Sequence, residues 1–137
     1  MSVETNRAAV HGFLEKIWST GDMQAVDNLL SPEFAFILSF MRTDGLEEFK
    51  NLVRANRTAF ENLTYRTDDD NIVAEEDKAA AYWWMSAKHV GTWAGIEATQ
   101  KDVGIQGMTF FRFRDGKIIE ARVQNDVLGL RRQLGAA

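Results

Sequence analysis

Apolar residues recur at helical spacing through the first third of the chain. From about Glu4 to Ser19 they fall on one face of a helix: Val10, Phe13, Leu14, Ile17 and Trp18. Gly21 then ends this helix, and Asp22 caps a short second one whose apolar face is Met23, Val26, Leu29 and Leu30. The pattern therefore predicts two successive amphipathic helices.

A third helix is predicted to start at Thr43 or Asp44, because Asp44 and Glu47 have the spacing of a capping box. Its apolar stripe is Leu46, Phe49, Leu52, Val53 and Phe60. Between the second and third helices, Ser31-Pro32 breaks the pattern, and the stretch from Glu33 to Met41 is nearly all apolar. That stretch reads as a buried strand or an inward-folded loop.

The second half of the chain alternates between apolar and polar positions, which is typical of strands. Four β segments are predicted: Leu63–Ala74, Lys78–Val90, Lys101–Arg114 and Lys117–Asn125. Asp115-Gly116 between the last two is a strong hairpin signal, and Gly104 and Gly107 mark candidate bulges. A short final helix is predicted between Asp126 and Gly135.

This order of elements predicts an α+β fold. Three N-terminal helices would pack on one side of a curved antiparallel sheet, and the short C-terminal helix would close one end. The 137 residues suit one domain spanning the whole chain. No internal repeat or linker divides it.

Composition narrows the classes of function. The chain has 45% hydrophobic residues, a net charge of −4 and no basic stripe, so nucleic acid is not an expected partner. It has no cysteine and two histidines, which excludes disulfides and thiolate sites and argues against a metal centre. No apolar run reaches the length of a membrane helix, and no signal-like segment is present, so we expect a cytoplasmic protein without a cofactor.

Strand parity assigns side chains to two faces of the sheet. Trp83, Met85 and His89 share one face with their neighbour Ala87, whereas Trp84 lies on the other. On the last strand the apolar set of Ile119, Ala121 and Val123 shares its face with Asn125 and is predicted to point inward. Arg122 then points outward with Trp84. A large aromatic on an outer sheet face suggests a homodimer interface there.

Two residues are candidates for acid–base chemistry. His89 closes a strand, and an imidazole can act as an acid or a base, but His89 also suits a simple structural role in which it hydrogen-bonds the following loop. Asp126 follows the last strand and would border an apolar cavity, yet Asp is also a favoured helix N-cap. Both interpretations stay open for each residue.

Several short segments occur in a characteristic order and spacing. They are Trp18-Ser19-Thr20-Gly21-Asp22, Ala25 to Leu30, and His89-x-Gly91-x-Trp93-x-Gly95-Ile96. Phe111 to Glu120 follows, and then Asp126-x-Leu128-Gly129-Leu130 and Gln133-Leu134-Gly135. Taken together, these segments resemble the SnoaL-like polyketide cyclases of the nuclear-transport-factor-2-like superfamily over nearly the whole chain. The family implies a cone-shaped barrel around one hydrophobic pocket, with dimerisation through the outer sheet face.

The resemblance implies a cofactor-free enzyme acting on a hydrophobic, ketone-bearing small molecule, with intramolecular aldol condensation as the expected reaction. His89 and Asp126 are the predicted catalytic residues. The predicted substrate-binding residues are Trp18, Phe36, Leu38, Trp83, Met85, Thr109, Phe111 and Asn125. A non-catalytic ligand-binding domain and a hydroxylase or hydrolase variant of the same fold stay open as alternatives.

Some residues depart from related catalytic patterns. The apolar stretch around Leu38 lacks the aspartate that ketosteroid isomerases carry in about that region. Ala121-Arg122 replaces a His-Trp pair common in relatives, and Lys78–Val90 lacks the Arg-x-Asp spacing of limonene-type epoxide hydrolases. The missing aspartate argues against the isomerase reaction, and the missing Arg-x-Asp argues against the epoxide hydrolase reaction. The Ala121-Arg122 replacement weakens any transfer of catalytic roles from relatives.

Overall fold

A computed structural model describes residues 2–136 of the chain. Within that range the α-helices are α1 (Val3–Gly12), α2 (Met23–Leu29), α3 (Leu46–Ala59) and α4 (Val127–Gln133). A π-helix, Phe13–Ser19, continues α1 directly, and a 3-10 turn covers Asp69–Asn71. The strands are β1 (Leu30–Ile37), β2 (Arg42–Asp44), β3 (Phe60–Arg66), β4 (Ile72–Ala74), β5 (Lys78–His89), β6 (Asp102–Arg114) and β7 (Lys117–Asn125).

The strands form one curved sheet in the order β2-β1-β7-β6-β5-β3, with β4 also paired to β5. The α+β class predicted from the sequence is confirmed, with one correction to the sheet. Strand β1 runs parallel to β7, so the sheet is mixed rather than antiparallel, and it is not closed into a barrel. No hairpin joins these two strands, so nothing local fixes their relative direction.

The β6–β7 hairpin has the predicted turn. Asp115 and Gly116 both have positive φ, at 53° and 77°, which is the type I′ geometry that matches strand twist. The pairing of β5 with β6 runs without interruption from Lys78 to Lys88, so Gly104 and Gly107 are not bulges in that ladder.

The bulge instead lies in β7. Phe113 pairs with Ile118 and Arg112 pairs with Glu120, which leaves Ile119 unpaired. As a result Ile118 is fully buried, whereas Ile119 is only partly buried. The prediction that Ile119 points inward is therefore wrong. The extra residue interrupts the alternation of side chains between the two faces of the strand. Ala121 and Val123 are buried as predicted.

The helices differ from the sequence prediction in two places. The predicted single helix from Glu4 to Ser19 starts at Val3 and changes to π geometry at Phe13, and Trp18 is buried as the apolar stripe predicts. Helix α3 begins at Leu46 after Gly45, and Asp44 belongs to β2 instead of capping the helix. The Asp44 backbone N–H donates to Glu48 at 2.9 Å, one residue beyond the predicted capping-box partner.

The core lies between the helices and the concave side of the sheet. Phe13 is at its centre, with ring centroids 5.3 Å from Phe111, 5.8 Å from Phe49 and 6.1 Å from Phe34. This close aromatic packing holds the π-helix against the sheet and α3. Among the described residues, no helix is both long and apolar enough to cross a membrane.

Candidate functional site

A cavity of about 250 Å³ opens between the helices and the concave face of the sheet. Most of its lining is apolar or aromatic: Phe13, Leu14, Trp18, Phe36, Leu38, Phe40, Met41, Leu52, Phe60, Leu63, Trp83, Met85, Trp93, Ala94, Ile105, Val123, Val127 and Leu130. Asn56, Tyr65, Thr109 and Asn125 complete the lining. No Asp, Glu, His, Lys or Arg of the described chain is among these residues.

The π-helix supplies one aromatic wall. The Trp18 ring lies 5.7 Å from Phe36 on β1 and 5.7 Å from Tyr65 on β3, measured between ring centroids. Trp18 therefore links the two sides of the cavity. The π geometry was not predicted, because an apolar stripe cannot distinguish a π turn from an α turn at this length.

Trp83 on β5 forms another wall, and its orientation is fixed on two sides. Its indole N–H donates to the Thr109 hydroxyl on β6 at 2.9 Å, inside the protein. A Cβ built at Gly107 would meet the Trp83 ring at 2.5 Å, so only glycine leaves room for the indole. The ring thus lies against the β6 backbone and contacts Tyr65 in a tilted arrangement, with 4.9 Å between ring centroids and 60° between ring planes.

Tyr65 is a polar residue of the cavity that the sequence analysis missed. Its hydroxyl has no hydrogen-bond partner among residues 2–136, and the surrounding apolar groups raise the pKa of the phenol by burial. The phenol therefore stays protonated near neutral pH. Tyr65 follows the buried Leu63 by two positions and so shares its face of the strand, but residue type and strand position alone do not show that a side chain reaches a cavity.

His89 does not line the cavity. It is fully buried, and its Nδ1 accepts the Thr99 backbone N–H at 3.2 Å and lies 3.0 Å from the Thr99 hydroxyl. An Nδ1 that accepts places the proton of a neutral imidazole on Nε2, which has no partner among the described residues. The ring packs 5.3 Å from Phe60, which does line the cavity.

Asp126 is exposed at the start of α4, and it borders a shallow groove on the outer side of the sheet rather than the cavity. Its carboxylate accepts the Gly129 backbone N–H at 2.8 Å, which is the geometry of a helix N-cap. The capping interpretation is confirmed. The adjacent residues Asn125 and Val127 do face the cavity.

The other predicted substrate-binding residues divide as follows. Trp18, Phe36, Leu38, Trp83, Met85, Thr109 and Asn125 all line the cavity. Phe111 does not; it is completely buried in the core against Phe13. The structure thus gathers seven of the eight at one site, whereas both predicted catalytic residues lie outside its lining.

Two turns border the mouth of the cavity. The turn after β1 closes with a hydrogen bond from the Leu38 N–H to the Met41 carbonyl at 2.9 Å, and it leaves Phe40 61% exposed at the rim. The second turn pairs Trp93 with Ile96 through two hydrogen bonds and places Ala94 and Gly95 at positive φ. Trp93 and Ala94 of this turn line the cavity, as Leu38, Phe40 and Met41 of the first turn do.

Outside the cavity, the structure offers no grouping of three or more His, Cys, Asp or Glu residues suited to a metal within residues 2–136. On the outer sheet face, Trp84 is partly buried beside Tyr82, with 5.1 Å between ring centroids. Arg122 is exposed on that face and donates to Glu120 at 2.9 Å.

The family model of SnoaL-like polyketide cyclases matches residues 8–134. TsrD from Streptomyces laurentii is similar in structure, with a TM-score of 0.89, 28% identity, and coverage of 100% of this chain and 99% of TsrD. A candidate SnoaL-like polyketide cyclase from a Jannaschia species has a TM-score of 0.88 at 20% identity, covering 98% of this chain and 94% of that one.

AclR from Streptomyces galilaeus, a candidate hydroxylase, has a TM-score of 0.84 at 23% identity. The match covers 99% of this chain and 88% of the AclR chain. These last two likenesses show the fold alone, because one cone-shaped scaffold carries several chemistries. No curated protein sequence matches the chain significantly.

Proposed function

This chain belongs to the SnoaL-like polyketide cyclase family, and we propose that it is a cofactor-free enzyme that binds a hydrophobic, ketone-bearing small molecule and promotes its intramolecular aldol closure. The observation that supports this most is the cavity itself. Aromatic walls enclose about 250 Å³ and carry a few uncharged polar side chains. An apolar cavity of about 150 Å³ holds a benzene-sized guest, so this one suits a guest of roughly two fused rings.

The proposed reaction needs no charged group in the cavity. One ketone of a diketone first enolises in solution, as an α-carbon proton moves to its carbonyl oxygen. In a folded conformation the enol carbon then attacks the second carbonyl carbon to form a C–C bond, and the enol C–O becomes a carbonyl. The π electrons of the second carbonyl move to its oxygen, which takes up the proton released by the enol O–H. The protein contributes by holding the reacting carbons together and by donating hydrogen bonds to the oxygen that gains charge.

A second candidate is non-catalytic binding of the same class of molecule. It is favoured by the placement of His89 and Asp126, neither of which lines the cavity. Without a carboxylate or imidazole at the substrate, a reaction that requires strong proton abstraction lacks its base. The aldol proposal differs from this candidate in one measurable property, which is turnover.

The experiment follows ring closure of an aryl-substituted diketone by NMR in the presence of the protein. We expect saturable acceleration over buffer, and we expect Leu52→Trp, which fills the half-buried rim of the cavity, to abolish it. Val73→Trp is the matched control, because Val73 is 70% exposed and lies outside the cavity. Saturable binding without acceleration favours the second candidate, and neither binding nor acceleration contradicts both.

We also infer a homodimer through the outer sheet face. An open groove on that face is lined in part by Arg66, Tyr82, Trp84 and Met108, and Met108 is 49% exposed. Covering such aromatic and aliphatic surface stabilises a protein interface. Trp84→Glu is expected to shift the mass in solution to that of a monomer, and an unchanged dimer, or a monomeric wild type, contradicts the inference.

A further inference from the structure

Tyr65 combines three features that set it apart from the other polar residues of the cavity. Its hydroxyl has no hydrogen-bond partner among the described residues, whereas Thr109 already accepts the Trp83 indole N–H. Its ring is held between two indoles, 4.9 Å from Trp83 and 5.7 Å from Trp18. A phenol has a single donor on a rigid ring, so its direction is set by that packing.

The backbone at Tyr65 is also anchored. The Ser19 hydroxyl, at the end of the π-helix, accepts the Tyr65 N–H at 2.8 Å and lies 3.2 Å from both the Tyr65 and Leu14 carbonyl oxygens. These contacts join the π-helix to β3 at the residue that carries the phenol. They explain how Tyr65 keeps its place although the ladder between β3 and β5 shifts register just before it.

We propose that the Tyr65 hydroxyl is the group that donates a hydrogen bond to the substrate carbonyl, and that Ser19 positions it. This inference rests on the proposed function, because it assigns the ligand oxygen to a particular residue of the same cavity. Burial raises the pKa of the phenol, which keeps the donor protonated across the neutral range.

The surroundings of Tyr65 also select the class of oxygen it binds. No Lys, Arg or His lines the cavity within the described chain, so a carboxylate or phosphate would be buried without a counter-charge. An uncharged ketone oxygen needs only a neutral donor, and a hydrogen bond to it strengthens as negative charge develops during aldol closure. The site is therefore matched to a ketone and not to an acid.

Two ligands of equal shape test the assignment. Methyl naphthyl ketone carries the carbonyl oxygen, and isopropenylnaphthalene replaces that oxygen by a CH2 group. Binding of each is measured by calorimetry to the wild type and to Tyr65→Phe, which removes only the hydroxyl. We expect the substitution to weaken ketone binding roughly fivefold, within the range for one neutral hydrogen bond, and to change hydrocarbon binding less than about twofold.

These measurements distinguish failure of the Tyr65 assignment from failure of the proposed function. Equal changes for both ligands, or no change for either, overturn the role of Tyr65 while leaving the binding cavity in place. Failure of the wild type to bind either ligand overturns the proposed function and this inference with it. The infrared stretch of the bound ketone gives an independent readout. It is expected at lower frequency in the wild type than in Tyr65→Phe, and equal frequencies overturn the proposal.

Ser19→Ala tests the positioning role with the same infrared readout. Loss of the Ser19 hydroxyl is expected to broaden the carbonyl band and move it toward its frequency in Tyr65→Phe, which general loss of stability alone would not do. Thr20→Ala is the control, because Thr20 is exposed on the same segment and its hydroxyl bonds only the Lys16 carbonyl. A sharp, wild-type band in Ser19→Ala contradicts the positioning role.

Discussion

The indole N–H of Trp83 donates to the hydroxyl of Thr109 across the β5–β6 ladder, at 2.9 Å and with both residues nearly inaccessible. This bond satisfies a donor that would otherwise be buried without a partner. It also fixes the ring plane of Trp83, which is the largest fully buried side chain and lines the cavity. The shape of the site therefore depends on the hydroxyl of Thr109 as well as on the Trp83 ring.

Thr109→Val is expected to lower the free energy of unfolding by about 1–3 kcal/mol, because it keeps the shape of the side chain but leaves the Trp83 N–H buried and unpaired. Urea unfolding measures the change. Thr109→Ser retains the hydroxyl, so its free energy of unfolding is expected to fall clearly less. Equal losses in the two variants would show that the methyl group, not the hydrogen bond, matters at this position.

Gly107→Ala is expected to destabilise the protein by about 1–3 kcal/mol, the usual range for overpacking a dense core. The added methyl would lie 2.5 Å from the Trp83 ring and 2.9 Å from the Gln124 carbonyl oxygen, which belongs to the backbone. Gly104→Ala on the same strand is the control, since its methyl would meet only the Met85 carbonyl oxygen at 3.4 Å. Thermal unfolding of the two variants decides the point, and similar melting temperatures would count against the tight fit.

Two substitutions of Asp126 separate a helix cap from a proton-transfer group. Asp126→Ala is expected to lose about 1 kcal/mol of stability, whereas Asp126→Asn retains a good capping side chain and loses little. Because Asp126 lies outside the cavity lining, ketone binding and ring closure are expected to be unchanged in Asp126→Asn. A variant that is fully stable but has lost ring closure would instead restore Asp126 as an acid–base residue.

The ion pairs of His11 are expected to make the stability of the protein slightly dependent on pH. Partial burial lowers the pKa of its imidazole, but the hydrogen bonds to Asp69 at 2.8 Å and Glu15 at 3.1 Å and the charges of both carboxylates outweigh it, so the net shift is upward. A raised folded-state pKa stabilises the protein below the unfolded value of about 6.5, and this stabilisation is lost as pH rises through the folded value.

Urea unfolding of the wild type and His11→Gln at pH values of about 5.5 and 8.5 measures this effect, since both carboxylates are ionised throughout that window. The free energy of unfolding of the wild type is expected to exceed that of His11→Gln by more at the lower pH. The extra difference is a fraction of a kcal/mol, because His11 and its carboxylate partners are partly exposed. A stability difference that is independent of pH, or larger at the higher value, would contradict the role of His11.

The sequence predicts the local elements well where one residue type dictates the geometry. Asp115-Gly116 requires a turn with two positive φ angles, and Asp126 offers a side-chain acceptor where a helix begins. The alternation around Trp83 and Met85 likewise requires one face of β5 to be buried. Seven of the eight residues predicted to bind substrate line the cavity, and their contact with a ligand stays a prediction.

Features that depend on distant partners were not predictable in this way. The parallel pairing of β1 with β7 joins segments separated by most of the chain, and the unpaired Ile119 is defined only by its neighbour strand. The importance of Tyr65 depends on its ring contacts with Trp18 and Trp83 and on Ser19 of the π-helix. His89 matched a motif, but its burial behind the lining became visible only in the folded chain.

The central claim is that an uncharged aromatic ketone enters this cavity, and the indole N–H resonances test it most directly. Of the four tryptophans, Trp18, Trp83 and Trp93 line the cavity, whereas Trp84 lies on the outer face of the sheet. On titration with methyl naphthyl ketone, the first three resonances are expected to shift together along one saturable curve while that of Trp84 stays in place. A shift of Trp84 alone, or no saturable shift in any of the four, would contradict the account.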